Sequence, residues 1–420
     1  MSLVSKQFII TIITLVVIGL GAAAAVFFAK GYTFSPKEGR VVGTGLLAIS
    51  SAPDGASVYV DGHLATATNT TISQLKPQSY KVRIVKEGFI PWEKNVDVSE
   101  GLVTEIKATL FPALPTLYPL TVNGAQNPTL SPDGQKLAYA VPYQNDSHVR
   151  QKGGIWVWTM TNQPIAFARG AEPHQLIAST QNLDFSKASI KFSPDSTQVL
   201  VTLQENGQPG DANTRNYLLP VDRQSSLSDI KDITPMVAGT LKEWTDDQKA
   251  KDDSRVAVIQ DLRIKQIASA STASASATIA KWSPDETKFM VISGQPTKAT
   301  DKAPTLSARV YDLSSGSAAK SGSKNPTPDQ KGQPLTGNKE YTLPDALAYY
   351  WLPDSRHVIL VQEGKISIAE LDGSNVAEIF AGNFEGTNVF PWPDSSKLVI
   401  LTSFATTTAS QPNLFGINLK

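Results

Sequence analysis

Leu130-Ser131-Pro132-Asp133-Gly134 recurs as Phe192-Ser193-Pro194-Asp195-Ser196 and as Trp282-Ser283-Pro284-Asp285-Glu286. Two looser copies follow, Trp351-Leu352-Pro353-Asp354-Ser355 and Pro391-Trp392-Pro393-Asp394-Ser395. At the third position past each Asp stand Lys136, Gln198, Lys288, His357 and Lys397. Each copy then runs into four apolar or small residues beginning at Leu137, Val199, Phe289, Val358 and Leu398. Pro presets φ at the second position of a turn, and Asp bonds back onto the local backbone. The run that follows is rich in β-branched residues and has no polar alternation, as in a strand covered on both faces. The phrase is therefore a turn that launches a buried strand.

The prolines of successive copies lie 62, 90, 69 and 40 residues apart. The shortest interval matches one four-stranded propeller blade, and the longer ones read as a blade plus insertions. A lone blade leaves both faces wet, so it needs neighbours on either side. These Ser-Pro-Asp repeats resemble those of TolB-like β-propellers over about 113–420. Five copies are visible. The long interval from Pro194 to Pro284 has room for a sixth blade, with Ser254–Ile259 as its strand; six blades is the expectation, five or seven the alternatives. Residues 227–251 read instead as a helical insertion. Further insertions are expected near 225–252, 268–278 and 314–340, the last two of low complexity.

Upstream, Phe8 to Ala29 carries no charge and is flanked by Lys6 and Lys30. As a helix these 22 residues would span roughly 33 Å, enough for a bilayer core. The rival is a cleaved signal peptide with small residues from Gly21 to Ala25. Val26 to Ala29 continue the apolar run beyond that point, which favours an uncleaved anchor. Lys30, Lys37 and Arg40 put slightly more positive charge on the C-terminal side, which by itself favours a cytoplasmic C-terminus. Long soluble domains translocate despite such small biases, and the rest of the chain reads as envelope machinery, so the C-terminal domains are expected outside the membrane.

Between anchor and repeats, 44–112 alternates short β-branched runs with turns. Asp61-Gly62 is a hairpin signal. Lys81, Arg83 and Lys86 alternate with Val82 and Ile84, so one sheet face is wet. Pro53-Asp54-Gly55-Ala56, Val58 to Gly62, Leu75 to Tyr80 and Gly88-Phe89 together resemble a PEGA domain. Asp54 stands where that family's Glu would, and Pro77-Gln-Ser-Tyr80 departs from its Pro-Gly before Tyr. The resemblance implies a small extracytoplasmic β-sandwich of envelope and surface proteins and brings no catalytic residues. The chain thus reads as a tail (1–7), a transmembrane helix (8–29), a linker (30–43), a PEGA-like β domain (44–112) and a propeller (113–420): all-β apart from one N-terminal helix.

The 38 basic and 38 acidic residues cancel, which gives no footprint for nucleic acid. There is no cysteine, hence no disulfide, thiolate metal site or cysteine nucleophile. No Gly-x-Ser-x-Gly elbow and no phosphate loop occurs. His63, His148, His174 and His357 form no i, i+4 pair. His357 falls in the strand-entry column and His63 just past a turn, so both read as solvent-facing. The five Asp of the repeats read as turn residues on successive blades, not as a catalytic set. Trp156 and Trp158 read as blade core.

In each blade one loop follows the first apolar strand. Four of these loops are long (141–154, 203–216, 293–307 and 402–413), and equivalent loops share one face. Long loops on a rigid scaffold are where binding is built. The resulting expectation is a membrane-anchored, non-enzymatic binding or scaffold protein without cofactor or metal. Its partner would be a protein or a cell-wall polymer. A propeller enzyme on envelope glycans and a surface-layer spacer are the alternatives.

Overall fold

The computed structural model describes residues 6–29, 32–35, 40–144, 152–160, 172–204, 214–261, 279–294, 306–313, 339–403 and 411–420. The chain divides into two compact units, Met1–Leu114 and Pro115–Lys420.

The first unit begins with helix α1 (Lys6–Ala29), 24 residues. Its side chains are described only from 11 to 22, all exposed. Among the described residues no helix is long and apolar enough to cross a membrane. A short hairpin, β1 (Tyr32–Ser35) with β2 (Arg40–Gly43), comes next. The remaining strands are β3 (Gly45–Ala52), β4 (Ser57–Val60), β5 (His63–Ala67), β6 (Thr70–Leu75), β7 (Gln78–Val85), β8 (Trp92–Val98) and β9 (Val103–Thr109). They form two sheets, β6-β3-β9 and β5-β4-β7-β8. Leu47, Ile49, Ile106 and Ala108 of the first share one core with Val58, Val82, Ile84 and Trp92 of the second. Along β7, Val82 and Ile84 point inward while Lys81 and Arg83 stay wet, the alternation expected of a half-covered sheet. Asp61 and Gly62 both take positive φ (49° and 84°), which the mirror-image turn of a two-residue hairpin requires. The sandwich is not wholly antiparallel, because β3 and β9 run parallel.

The second unit contains β10 (Leu117–Pro119) and then five sheets among the described residues. Blade 1 is β11 (Gln126–Leu130), β12 (Lys136–Val141), β13 (Gly154–Thr159) and β14 (His174–Ala178). Blade 2 has three strands, β15 (Ser189–Phe192), β16 (Gln198–Gln204) and β17 (Thr214–Pro220). A 3₁₀ turn and α2 (Val237–Asp261) follow. Blade 3 is β18 (Ile279–Trp282), β19 (Lys288–Gly294), β20 (Leu306–Asp312) and β21 (Lys339–Thr342). Blade 4 is β22 (Ala348–Trp351), β23 (His357–Gln362), β24 (Lys365–Glu370) and β25 (Ala377–Ala381). Blade 5 is β26 (Val389–Pro391), β27 (Lys397–Thr402) and β28 (Asn413–Asn418), completed by β10 pairing with β28. The start of the unit thus closes its last blade.

The apolar runs after the turns are the second strands, and they pack both ways. Leu137, Tyr139 and Val141 meet Phe390, Trp392 and Val399 of blade 5. Ala138 and Ala140 of the same strand meet Ile190, Val199 and Val201 of blade 2. The period of two sends alternate side chains to opposite neighbours, so the runs are apolar except for the half-buried Thr202 at the end of the one in blade 2. Blades 3 and 4 meet likewise through Met290, Ile292, Val358 and Leu360. Each such fully buried side chain contributes roughly 1.5–3 kcal/mol relative to exposure.

Two sequence expectations are corrected here. Ser254–Ile259 is not a strand but the end of α2, and five blade sheets, not six, are present among the described residues. Valines and an isoleucine suited that stretch to a strand, but its neighbours in 237–253 are mostly Lys, Asp, Glu, Gln and Ala, and helix formation propagates from them. The helical reading of 227–251 fits in part, since α2 starts at Val237. The insertions at 268–278 and 314–338, and most of the four long loops, lie outside the described residues.

Candidate binding site

The repeated phrase builds the same knot of hydrogen bonds three times. In each of the first three copies the Ser hydroxyl donates to the Asp carboxylate (2.5 Å for Ser193–Asp195, 2.6 Å for Ser283–Asp285, and likewise Ser131–Asp133). The same hydroxyl accepts the backbone N–H of Lys136, Gln198 or Lys288, at 2.8, 3.0 and 3.0 Å. The Asp Oδ1 accepts the N–H two residues on, at 2.9 to 3.1 Å. The residue after the Asp bonds back to the carbonyl three residues before it (Ser131, Ser193, Ser283, Leu352 or Trp392) and takes positive φ in all five copies: Gly134, Ser196, Glu286, Ser355 and Ser395, between 56° and 69°. Only Gly takes that conformation without cost.

Copies four and five replace the Ser with Leu352 and Trp392, both buried. Asp354 and Asp394 still accept the N–H of Arg356 and Ser396, each at 2.9 Å. In copy four His357 takes over the hydroxyl's work. Its Nδ1 lies 2.5 Å from Asp354 Oδ2, and its N–H donates to Oδ1 at 3.1 Å. His357 is 2 % exposed, which overturns the solvent-facing reading. The column itself explains this, because Lys288 is also buried and pairs with Asp285 at 3.3 Å. His63 is exposed, as read. Trp158 meets Trp392 edge-on at 5.6 Å, in the seam between blades 1 and 5.

Burial alone would raise the carboxylates, but bonds outweigh it. Asp285 is pushed down to about 2 because the Ser283 hydroxyl, the Thr287 N–H and hydroxyl and the Lys288 ammonium all favour its ionised form. Asp133 and Asp354 are lowered against the same burial, by Ser131, Gln135 and Lys136 and by His357 and Arg356. The Ser193 and Thr197 hydroxyls lower Asp195. Such carboxylates are ionised acceptors. A general acid needs the opposite shift. Among the described residues no group of His, Asp and Glu could hold a metal ion.

Successive turns touch. The Ser196 hydroxyl accepts the Asp133 N–H at 3.2 Å, and the Ser355 hydroxyl accepts the Asp285 N–H at 3.0 Å. Between blades 2 and 3 the equivalent residue is Glu286, and α2 makes the link instead. Lys251 donates to the Pro194 carbonyl at 3.2 Å, and Arg255 pairs with Glu286 at 2.6 Å.

Beside the first of these junctions a cleft of about 780 Å³ opens between blades 1 and 2. Lys136, Glu172, His174, Gln198, Asp222 and Arg223 line it. His174 Nε2 lies 2.8 Å from the Val221 carbonyl and straps β14 to the end of β17. Lys136 is held by Asp133 at 3.2 Å, whereas Glu172, Asp222 and Arg223 are exposed. The cleft therefore offers both signs of charge on a rigid rim. Of the repeated columns only Lys136, Gln198 and Ser196–Thr197 reach it. Glu172, Asp222 and Arg223 come from segments that vary from blade to blade, so repeat reading passed over them.

Solved structures similar to this chain include TolB from Acinetobacter baumannii, 14% identical, with 81% of this chain and 59% of that one covered and a TM-score of 0.23. Others are the putative TolB from Agrobacterium tumefaciens (14%, 70% and 82%, TM-score 0.21) and hydrazine synthase from Kuenenia stuttgartiensis (11%, 84% and 86%, TM-score 0.23). The chain thus spans less than two thirds of the Acinetobacter TolB. These scores carry no argument about function, and the propeller rests on its own sheets. No curated protein matches the chain in sequence. Residues 44–113, the stretch that folds into the two-sheet sandwich, match the PEGA domain.

Proposed function

We propose that this chain is a membrane-anchored, extracytoplasmic binding or scaffold protein of the cell envelope, which recognises another protein or a wall polymer without catalysing a reaction on it. The observation that carries the reading is the cleft between blades 1 and 2: roomy, charged in both signs and set on a rigid turn scaffold. A site of this kind suits recognition of a polar, zwitterionic surface or strand. The repeated carboxylates, each consumed by its own turn, favour binding over acid–base work. The PEGA match favours the envelope, and the uncharged run from Phe8 to Ala29 within α1 favours an anchor.

The test uses the full chain and its Arg223→Glu variant. Retention of the native chain on purified wall sacculi, or on a partner captured from envelope extracts, with loss in the variant, supports the reading. Equal retention of both proteins places recognition elsewhere. Protease cleavage within 314–340 in intact spheroplasts supports the outward topology. Protection until lysis sinks it.

A further inference from the structure

The first strands of the blades carry a column that the turn phrase does not include: Thr129, Lys191, Lys281, Tyr350 and Phe390. Strand register makes them equivalent, opposite Ala138, Leu200, Met290, Ile359 and Val399, each the second residue of its apolar run. First strands are edges of their sheets, and those of neighbouring blades bond to one another through Thr129 and Lys281, as the inner edges around the axis of a ring would.

The Leu352 N–H bonds the His357 carbonyl, so by antiparallel alternation Tyr350 is the next hydrogen-bonded partner and Tyr349 turns its carbonyl away from β23. Lys281 Nζ donates to that carbonyl at 2.9 Å and sits 4.5 Å above the Tyr350 ring. Thr129 does the same two seams earlier, between blades 1 and 2, donating to the Ile190 carbonyl at 3.2 Å. Two members of the column, Thr129 and Lys281, are thus blade-to-blade struts on the inner edge.

A hydroxyl suffices for the strut at Thr129. At Lys281 the same place holds an ammonium with two further donors and a full charge. It is partly buried, and no carboxylate pairs with it among the described residues. Burial, with no opposing charge, pushes its amine below the ordinary lysine range. One blade earlier Lys191 presents a second ammonium in the same column, exposed and likewise without a carboxylate partner among the described residues. The column contains no acid. At Lys281 a carbonyl and a ring face offset only part of the cost of a cation in a half-dry wall, and an anion would offset more.

We propose that the inner wall of the propeller binds an oxyanion, a carboxylate or phosphate group, held by Lys281 and reached by Lys191. This site lies on the inner edges of blades 2 to 4, apart from the cleft between blades 1 and 2, and does not depend on it. Titration calorimetry of the full chain in detergent with inorganic phosphate, and separately with malonate, tests it; the better of the two names the group. Lys281→Thr keeps a strut donor of the Thr129 kind while removing the charge. The expected result is one site per chain, weakened at least tenfold by Lys281→Thr and less by Lys191→Met, with Lys249→Met on the exposed face of α2 unchanged. Binding that is absent in the native chain, unchanged in Lys281→Thr, or weakened equally by Lys249→Met would overturn the proposal.

Discussion

The seam between blades 3 and 4 and the seam between blades 2 and 3 solve one problem in different ways. Both must hold neighbouring Pro-Asp turns together. At the first, a buried serine hydroxyl in the left-handed position of one turn accepts a backbone N–H of the other. At the second, the left-handed residue is Glu286, and a 25-residue helix spans from Pro194 to Glu286 through Lys251 and Arg255. The first link is short, neutral and encoded in the repeat. The second is charged, exposed and supplied by an insertion. A repeat can therefore lose a contact where an inserted element takes over its geometry.

The largest test of that difference compares buried anchors. Leu360→Ala, in the apolar face of blade 4 toward blade 3, is expected to cost about 2–5 kcal/mol in urea unfolding. Trp244→Ala, at a buried residue of α2, should cost about 3–5 kcal/mol if the helix is as integral as a blade strand. A loss under about 1 kcal/mol in Trp244→Ala would make α2 an appendage.

Next in size is Ser355→Ala, which removes a neutral hydrogen bond and should cost about 1 kcal/mol at any salt concentration. Arg255→Ala should cost less, roughly 0.2–1 kcal/mol, because the pair with Glu286 is partly exposed. Its effect should shrink further in molar salt, where exposed charges are screened. Equal salt dependence of the two variants would erase the contrast between the seams.

Acid sensitivity sharpens it further. The folded state holds Asp285 near 2, below an unfolded carboxylate near 4. A depressed carboxylate stabilises the fold above its unfolded value, and that stability is lost as pH falls from about 4 to about 2. Asp285→Asn should flatten the dependence of the urea midpoint on pH in that window. An unchanged slope would mean that the carboxylate is not held by its turn.

What the sequence disclosed follows from repetition. Pro and Asp name the turn because backbone geometry needs them, and the apolar run names the strand because both its faces are covered. The buried state of His357 was legible as well, had its column been weighed by the partner Asp354 and not by residue type. Three features were not legible. The sixth-blade reading failed at Ser254–Ile259, where the helix-forming surroundings overrode a β-branched run. The cleft escaped because Glu172, Asp222 and Arg223 lie in parts that do not repeat. The inner-edge struts escaped because Thr129 and Lys281 share a position and a donor but no residue type.

A ring of the five described blades, bridged between blades 2 and 3 by α2, is the central claim of the account. The chain has no cysteine, so Arg255→Cys and Glu286→Cys together introduce the only two thiols. Treatment of that variant with a short bis-maleimide, followed by peptide mapping, measures whether the two positions are neighbours. The account predicts an intramolecular cross-link in nearly every folded chain and none in urea. Complete labelling of both thiols without a cross-link in the folded chain would contradict it.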